Sequence, residues 1–156
     1  MSTKPTSPIL FYSLAEEFGE FSNFAPFPIK IDGKLWPTSE HYFQAQKFTD
    51  QSHIKKIRVA NSPMTAARLG RSKKVALKKN WEKSKDSAMF TAVTGKFSQH
   101  EELKELLLST DDRKIIEHTR NDDYWGDGGD GTGKNMLGRI LMKVRDQLKS
   151  NNRSNS

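Results

Sequence analysis

The chain has 156 residues, 34% of them hydrophobic and 29% charged, and no cysteine. That size and balance describe one compact domain with a single core, and the missing thiols exclude a disulfide scaffold, a thiolate zinc cluster and a thiolate nucleophile. No apolar run approaches the roughly 20 residues of a membrane span, and the polar, proline-broken start from Met1 to Pro8 is unlike a signal peptide. A soluble, cytoplasmic protein with no membrane partner is expected.

The net charge of +7 is unevenly spread, since residues His53 to Lys85 carry eleven lysines and arginines against Glu82 alone, a local +10 between slightly acidic flanks. Such a face suits a phosphate-bearing partner, whether nucleic acid or nucleotide. A solvated helical surface would have the same composition.

Polar, aperiodic stretches at 1–8 and 150–156 read as frayed tails around a domain at 9–149. Ile9 to Tyr12 reads as a short strand, and the alternation of Phe27, Ile29 and Ile31 up to an Asp32-Gly33 turn, with the return to Trp36, predicts a hairpin. After Pro37 the pattern becomes helical, with Thr38 or Ser39 as N-cap and the apolar positions running on to Phe48. Ser62-Pro63 opens another helix that Gly70 is expected to stop, and Asn80 caps a third through about Phe97. Glu101 to Leu108, a short apolar piece at Ile115 and Ile116, a glycine-rich loop and a final amphipathic helix presenting Leu137, Ile140, Leu141, Val144 and Leu148 complete the chain. The fold class is α+β, a mostly α-helical single domain with a small β-hairpin and strand element.

Two stretches carry candidate chemistry. In Glu40-His41-Tyr42-Phe43-Gln44-Ala45-Gln46-Lys47, positions 40, 44 and 47 share one helix face. A carboxylate in a first turn is favoured by the helix dipole, and a buried lysine amine becomes a usable nucleophile, so Glu40 and Lys47 form a candidate pair of proton shuttle and nucleophile. An exposed surface pair would share that spacing; the aromatic company of Tyr42, Phe43 and Phe48 favours a packed helix.

The second stretch, from Asp122 to Asn135, is rich in glycine and leads into the last helix. Its backbone N–H groups and the helix terminus favour phosphate or pyrophosphate. Gly128 to Lys134 has the spacing of a P-loop, but Asn135 stands where the magnesium-binding Ser or Thr belongs, and the aspartates do not follow a calcium-loop order. No metal ligand set is assigned, and the four histidines receive no catalytic role. Trp81 and Trp125 are candidates for stacking on a base, with Trp125 the better placed as a site wall.

Taken together, Phe11-Tyr12-Ser13, Gly19-Glu20-Phe21-Ser22-Asn23-Phe24, Trp36 to Phe48, Ala67-Arg68-Leu69-Gly70-Arg71, Asn80-Trp81, Asn121 to Gly128 and Gly133 to Gly138 resemble the NADAR superfamily of YbiA-like proteins. The resemblance implies an α-rich domain and an N-glycosidase requiring no cofactor. Its implied substrates are ribosylamino-pyrimidine phosphates of early riboflavin synthesis, or ADP-ribose linked to guanine, the latter free or in ADP-ribosylated nucleic acid. Carried over by position, it implies Glu40 and Lys47 as the catalytic pair; in a direct hydrolysis of the kind ordinary glycosidases perform, Glu40 or Asp127 would activate water. Asn23, Gln44, Arg71, Trp81, Trp125, Gly126 and Asn135 are implied in substrate binding. A ring-opened ribosylamine can exchange onto a lysine amine, whereas direct hydrolysis would run through an oxocarbenium-like state; both routes stay open at this point. A non-catalytic module that binds ADP-ribose or nucleotides through the same pocket is the alternative, and a nucleic-acid binder using the basic segment is a third reading. The oligomeric state is not legible.

Overall fold

The computed structural model describes residues 5–154; residues 1–4 of the expected N-terminal tail and residues 155–156 of the expected C-terminal tail lie outside them. The fold is α+β and mostly helical. Two compact units form, one from residues 5–22 with 100–154 and the other from Asn23–Gln99, which is inserted between the two segments of the first.

In the discontinuous unit, β1 (Ile9–Phe11) pairs in parallel with β4 (Ile115–Glu117), with Ile9 opposite Ile115. Ile9, Phe11 and Ile115 are buried, and Phe11 meets Phe21 of a short 3-10 turn (Gly19–Phe21) edge to face at 5.8 Å. Helices α5 (Glu101–Leu108) and α6 (Met136–Ser154) pack on each other, and α6 also packs on β4. All five apolar positions expected on the inner face of α6 are buried, as an i, i+3, i+4 stripe requires. Arg145 is buried among them, and its Nη1 donates to Thr110 Oγ1 at 2.9 Å and to the Arg113 carbonyl at 2.7 Å. The helix continues to Ser154, past the Lys149 boundary where a tail was expected. Lys149 secures this end by donating to the Asp111 carbonyl and the Asp112 carboxylate, and the polar residues that follow extend the existing ladder.

In the inserted unit, β2 (Ile29–Ile31) and β3 (Lys34–Trp36) form the expected hairpin, with Ile29 opposite Trp36. Asp32 and Gly33 both take positive φ, 53° and 77°, the geometry of a two-residue turn whose twist matches that of the strands. Helices α1 (Ser39–Ala45), α2 (Gln51–Arg58) and α3 (Pro63–Gly70) pack against one another, while α4 (Trp81–Gln99) lies on α1 and β2. Their shared core contains Ile29, Trp36, Tyr42, Ala45, Phe48, Ile57, Ala66 and Ala92.

Thr38 and Ser62 are the N-caps of α1 and α3, each accepting the backbone N–H three residues on. Two boundaries within this unit differ from expectation. Helix α1 ends at Ala45 instead of reaching Phe48, because the N–H groups of Gln46, Lys47 and Phe48 turn to the carbonyls of Phe43, Gln44 and Ala45, the tightening of a last turn. Asp50 then caps α2 through the His53 N–H. Gly70 belongs to α3, and Arg71 is the C-cap.

Candidate functional site

Helix α1 is held by its N-terminus. Thr38 Oγ1 accepts the His41 N–H at 3.2 Å and donates to His41 Nδ1 at 2.8 Å, while His41 Nε2 donates to the Ala60 carbonyl at 3.0 Å. Burial lowers the His41 pKa against the opposing bond to Ala60, so the ring is the neutral Nε2–H tautomer, a strut between α1 and the α2–α3 connection. Next to it, Ser39 Oγ donates to Asn23 Oδ1 at 2.8 Å, the Glu40 N–H donates to the Asn23 carbonyl at 3.2 Å, and Asn23 Nδ2 points at Met89 Sδ at 3.3 Å. Asn23, expected in substrate binding, thus ties the first turn of α1 to α4.

On this frame sits the expected pair. Glu40 is 9% exposed, and its Oε1 accepts Gln44 Nε2 at 2.7 Å across one turn. Lys47 lies just past the helix, its carbonyl pinned by the Lys78 N–H at 2.8 Å. Its ammonium is half-buried, 5.9 Å from the Phe43 ring centre and 3.4 Å from the Gly70 carbonyl, to which it donates. Burial pulls the Lys47 pKa below its ordinary value; the Glu40 charge opposes this, and the Arg71 guanidinium adds to it. The Glu40 charge therefore bears on the amine, although Lys47 stands past the end of the helix whose face was expected to carry both.

Arg71, exposed at the end of α3, is a cation of the basic segment whose charge acts on that amine. Most other lysines and arginines of the segment are exposed along α2, α3 and the connection to α4. Trp81 is 6% exposed, its ring 5.4 Å from that of Phe43 and flanked by Lys78 Nζ at 5.9 Å. It serves the inserted unit as a core residue beneath Phe43.

The remaining expected residues belong to the other unit. The loop after β4 is closed by its own backbone: the N–H groups of Gly128, Gly133, Lys134, Asn135, Met136 and Leu137 donate to carbonyls between Asp122 and Asp127. Those donors were expected to serve phosphate; the glycines instead permit close packing, since a Cβ on Gly126 would stand 2.9 Å from the carbonyls of Asp122 and Glu117. Asp127 is 5% exposed and fully engaged, its Oδ2 bonded to His118 Nδ1 at 2.8 Å and its Oδ1 accepting the N–H groups of Thr119 (3.1 Å) and Gly129 (2.8 Å). Burial works against its charge, but the bonds from His118, Gly129 and Thr119 outweigh it and hold the carboxyl below the usual range. Trp125 is half-buried and meets Tyr124 edge to face at 4.9 Å; the Asp122 carboxylate accepts the N–H groups of both. Among the described residues, no three His, Asp or Glu side chains gather as a metal site requires.

Asn135 is 7% exposed with φ 53°, its Oδ1 accepting the Glu117 N–H and its Nδ2 donating to the Ile115 carbonyl, both at 2.9 Å. It latches the loop to β4. Asn135→Ala removes both bonds, one to a buried and one to a part-buried backbone group, and a loss of about 1–3 kcal/mol in urea unfolding is expected; a variant as stable as the parent would refute the latch.

Sequence reasoning overlooked Gly70, whose Cα faces Gln44 and whose carbonyl receives Lys47, and His118, the partner of Asp127. Neither has a local signal: a glycine after a helical run reads as a stop, and a lone histidine reads as surface.

The NADAR domain profile matches residues 10–149. N-glycosidase YbiA of Escherichia coli (strain K12) is 58% identical over 140 residues, covering 90% of this chain and 88% of that protein. Riboflavin biosynthesis protein VVA0006 of Vibrio vulnificus is 43% identical over 141 residues, 90% of this chain but 38% of that protein. The NMR structure of E. coli YbiA superposes with a TM-score of 0.89 at 54% identity, covering 96% of this chain and 89% of the other. No helix among the described residues is long and apolar enough to cross a membrane.

Proposed function

The chain belongs to the NADAR family and is an N-glycosidase by that kinship; from this premise we propose that it cleaves ribosylamino-pyrimidine phosphates through a covalent intermediate on Lys47, with Glu40 moving the protons. The observation that carries the reading is the half-buried Lys47 amine, its pKa lowered, under the influence of the buried Glu40. A lowered pKa raises the fraction of free amine at neutral pH, and a carboxyl group within the same frame can shuttle protons.

A ribose joined to an exocyclic amine opens to an imine at C1. The Lys47 lone pair adds to C1; a proton passes through Glu40 to the departing nitrogen, and the C1–N bond to the pyrimidine breaks. The resulting Schiff base takes up water, Glu40 accepts its proton, and collapse returns the Lys47 amine and frees ribose phosphate. Arg71 and the neighbouring lysines supply the field for the phosphate. Asp127, its carboxylate bonded to His118, Thr119 and Gly129, is assigned to holding the loop in place and not to activating water. The riboflavin-biosynthesis name of the Vibrio relative favours the pyrimidine over ADP-ribose on guanine, although the same steps apply to both.

Borohydride added during turnover, followed by peptide mass analysis, tests this. A reduced ribosyl phosphate adduct on Lys47 is expected with the ribosylamino-pyrimidine phosphate. Base release without any adduct would establish direct hydrolysis, release only from guanine-linked ADP-ribose would reassign the substrate, and binding without release would leave the non-catalytic reading.

A further inference from the structure

Gly70 is helical, with no positive φ to explain a glycine there. What its position demands is space. A Cβ would collide with Gln44 Oε1 and lie 2.6 Å from Gln44 Cδ and 3.0 Å from Gln44 Cβ. The Gln44 amide is therefore seated directly on the bare Cα. Gln44 is 6% exposed and its Oε1 is buried without a hydrogen-bond partner, a costly arrangement that the close seat on the bare Cα imposes. The other end of the same amide holds Glu40 at 2.7 Å, and the Gly70 carbonyl receives the Lys47 amine at 3.4 Å. One residue at the end of α3 thus meets Lys47 directly and reaches Glu40 through Gln44.

We infer that Gly70 is a positioning residue for the Glu40/Lys47 pair: its bare Cα seats the Gln44 amide against the Glu40 carboxylate while its carbonyl locates the Lys47 amine. The inference rests on the reading of that pair as catalytic. A methyl group at position 70 drives the Gln44 amide off its seat and takes its N–H donor away from the Glu40 carboxylate. A carboxylate without that donor favours the ammonium form of Lys47 more strongly, so the free-amine fraction at neutral pH falls.

The test compares Gly70→Ala, Gln44→Ala and the double variant in the full chain. For Gly70→Ala, kcat is expected to fall on the order of 10²-fold, the scale of a small misplacement of reacting groups, with KM within about twofold. Gln44→Ala should show a similar loss, and Gly70→Ala should cost nothing further in its presence, because the double variant has room for the methyl group. In parallel, the pH dependence of Lys47 acetylation by acetic anhydride, read by mass analysis, should move to higher pH in both single variants. Unchanged kcat and acetylation profile in Gly70→Ala, or an undiminished cost in the Gln44→Ala background, would overturn the inference. The acetylation profile needs no turnover, so a parent protein that released no base would refute the hydrolase reading while the placement of Lys47 by Gly70 was still decided. If Gly70→Ala alone failed to fold, the double variant, matching Gln44→Ala in kcat and profile, would uphold the inference and a further loss would refute it.

Discussion

Lys47→Ala is expected to lower turnover by roughly 10³-fold or more, the scale seen when a covalent nucleophile is removed, and to abolish the borohydride adduct. Substrate affinity should change far less, because the amine acts on C1 after binding. The parent enzyme should show a kcat that rises with pH through the depressed pKa of Lys47, since burial and the Arg71 charge disfavour the ammonium form and only the free amine adds to the imine. Lys47→Arg keeps the charge but is never deprotonated at these pH values, so it should be as inactive as the alanine variant. Full turnover in either variant, measured by base release under saturating substrate, would remove Lys47 from the mechanism.

Glu40→Gln should cost about 10²–10⁴-fold in kcat, the usual contribution of a positioned acid or base. The side chain is nearly isosteric and retains a partner for Gln44, so the melting temperature should stay close to that of the parent. The sign of the accompanying pH effect is fixed by electrostatics: the Glu40 charge raises the Lys47 pKa against burial and Arg71, so its removal lowers that pKa further. Residual activity should therefore rise with pH at lower values than in the parent, in the direction opposite to that expected for Gly70→Ala. A pH profile unmoved by Glu40→Gln would show that the two groups do not sense each other, and the pairing would fail with it.

How much of this was legible in the chain depended on the distance over which each interaction acts. The Asp32-Gly33 turn, the Thr38 and Ser62 caps and the buried stripe of α6 are contacts within a few residues, and each was readable in order. Helix α2 was missed because residues 51–58 bury only His53 and Ile57, too little apolar pattern for an eight-residue segment whose start rests on the single cap Asp50. The end of α1 was misjudged because Phe48 continues the apolar spacing, although the backbone has already turned into a tighter helix to meet Asp50.

The candidate site divides in the same way. Helical period set Glu40 and Gln44 on one face, and the hydrogen bond across one turn is the direct consequence of that period; singling out Glu40 and Lys47 also drew on the aromatic neighbours and the family resemblance. The occupation of Asp127 by His118 and of Asn135 by β4 was not visible, nor was the seat that Gly70 makes for Gln44. The local sequence by itself determined which side chains share a face and where α1 and α3 begin, since caps and turns are settled among neighbouring residues. Only the tertiary structure decided which partner each group takes, because strands from opposite ends of the chain and helices separated by a loop must first close on each other before a carboxylate, an amide or a bare Cα acquires its partner.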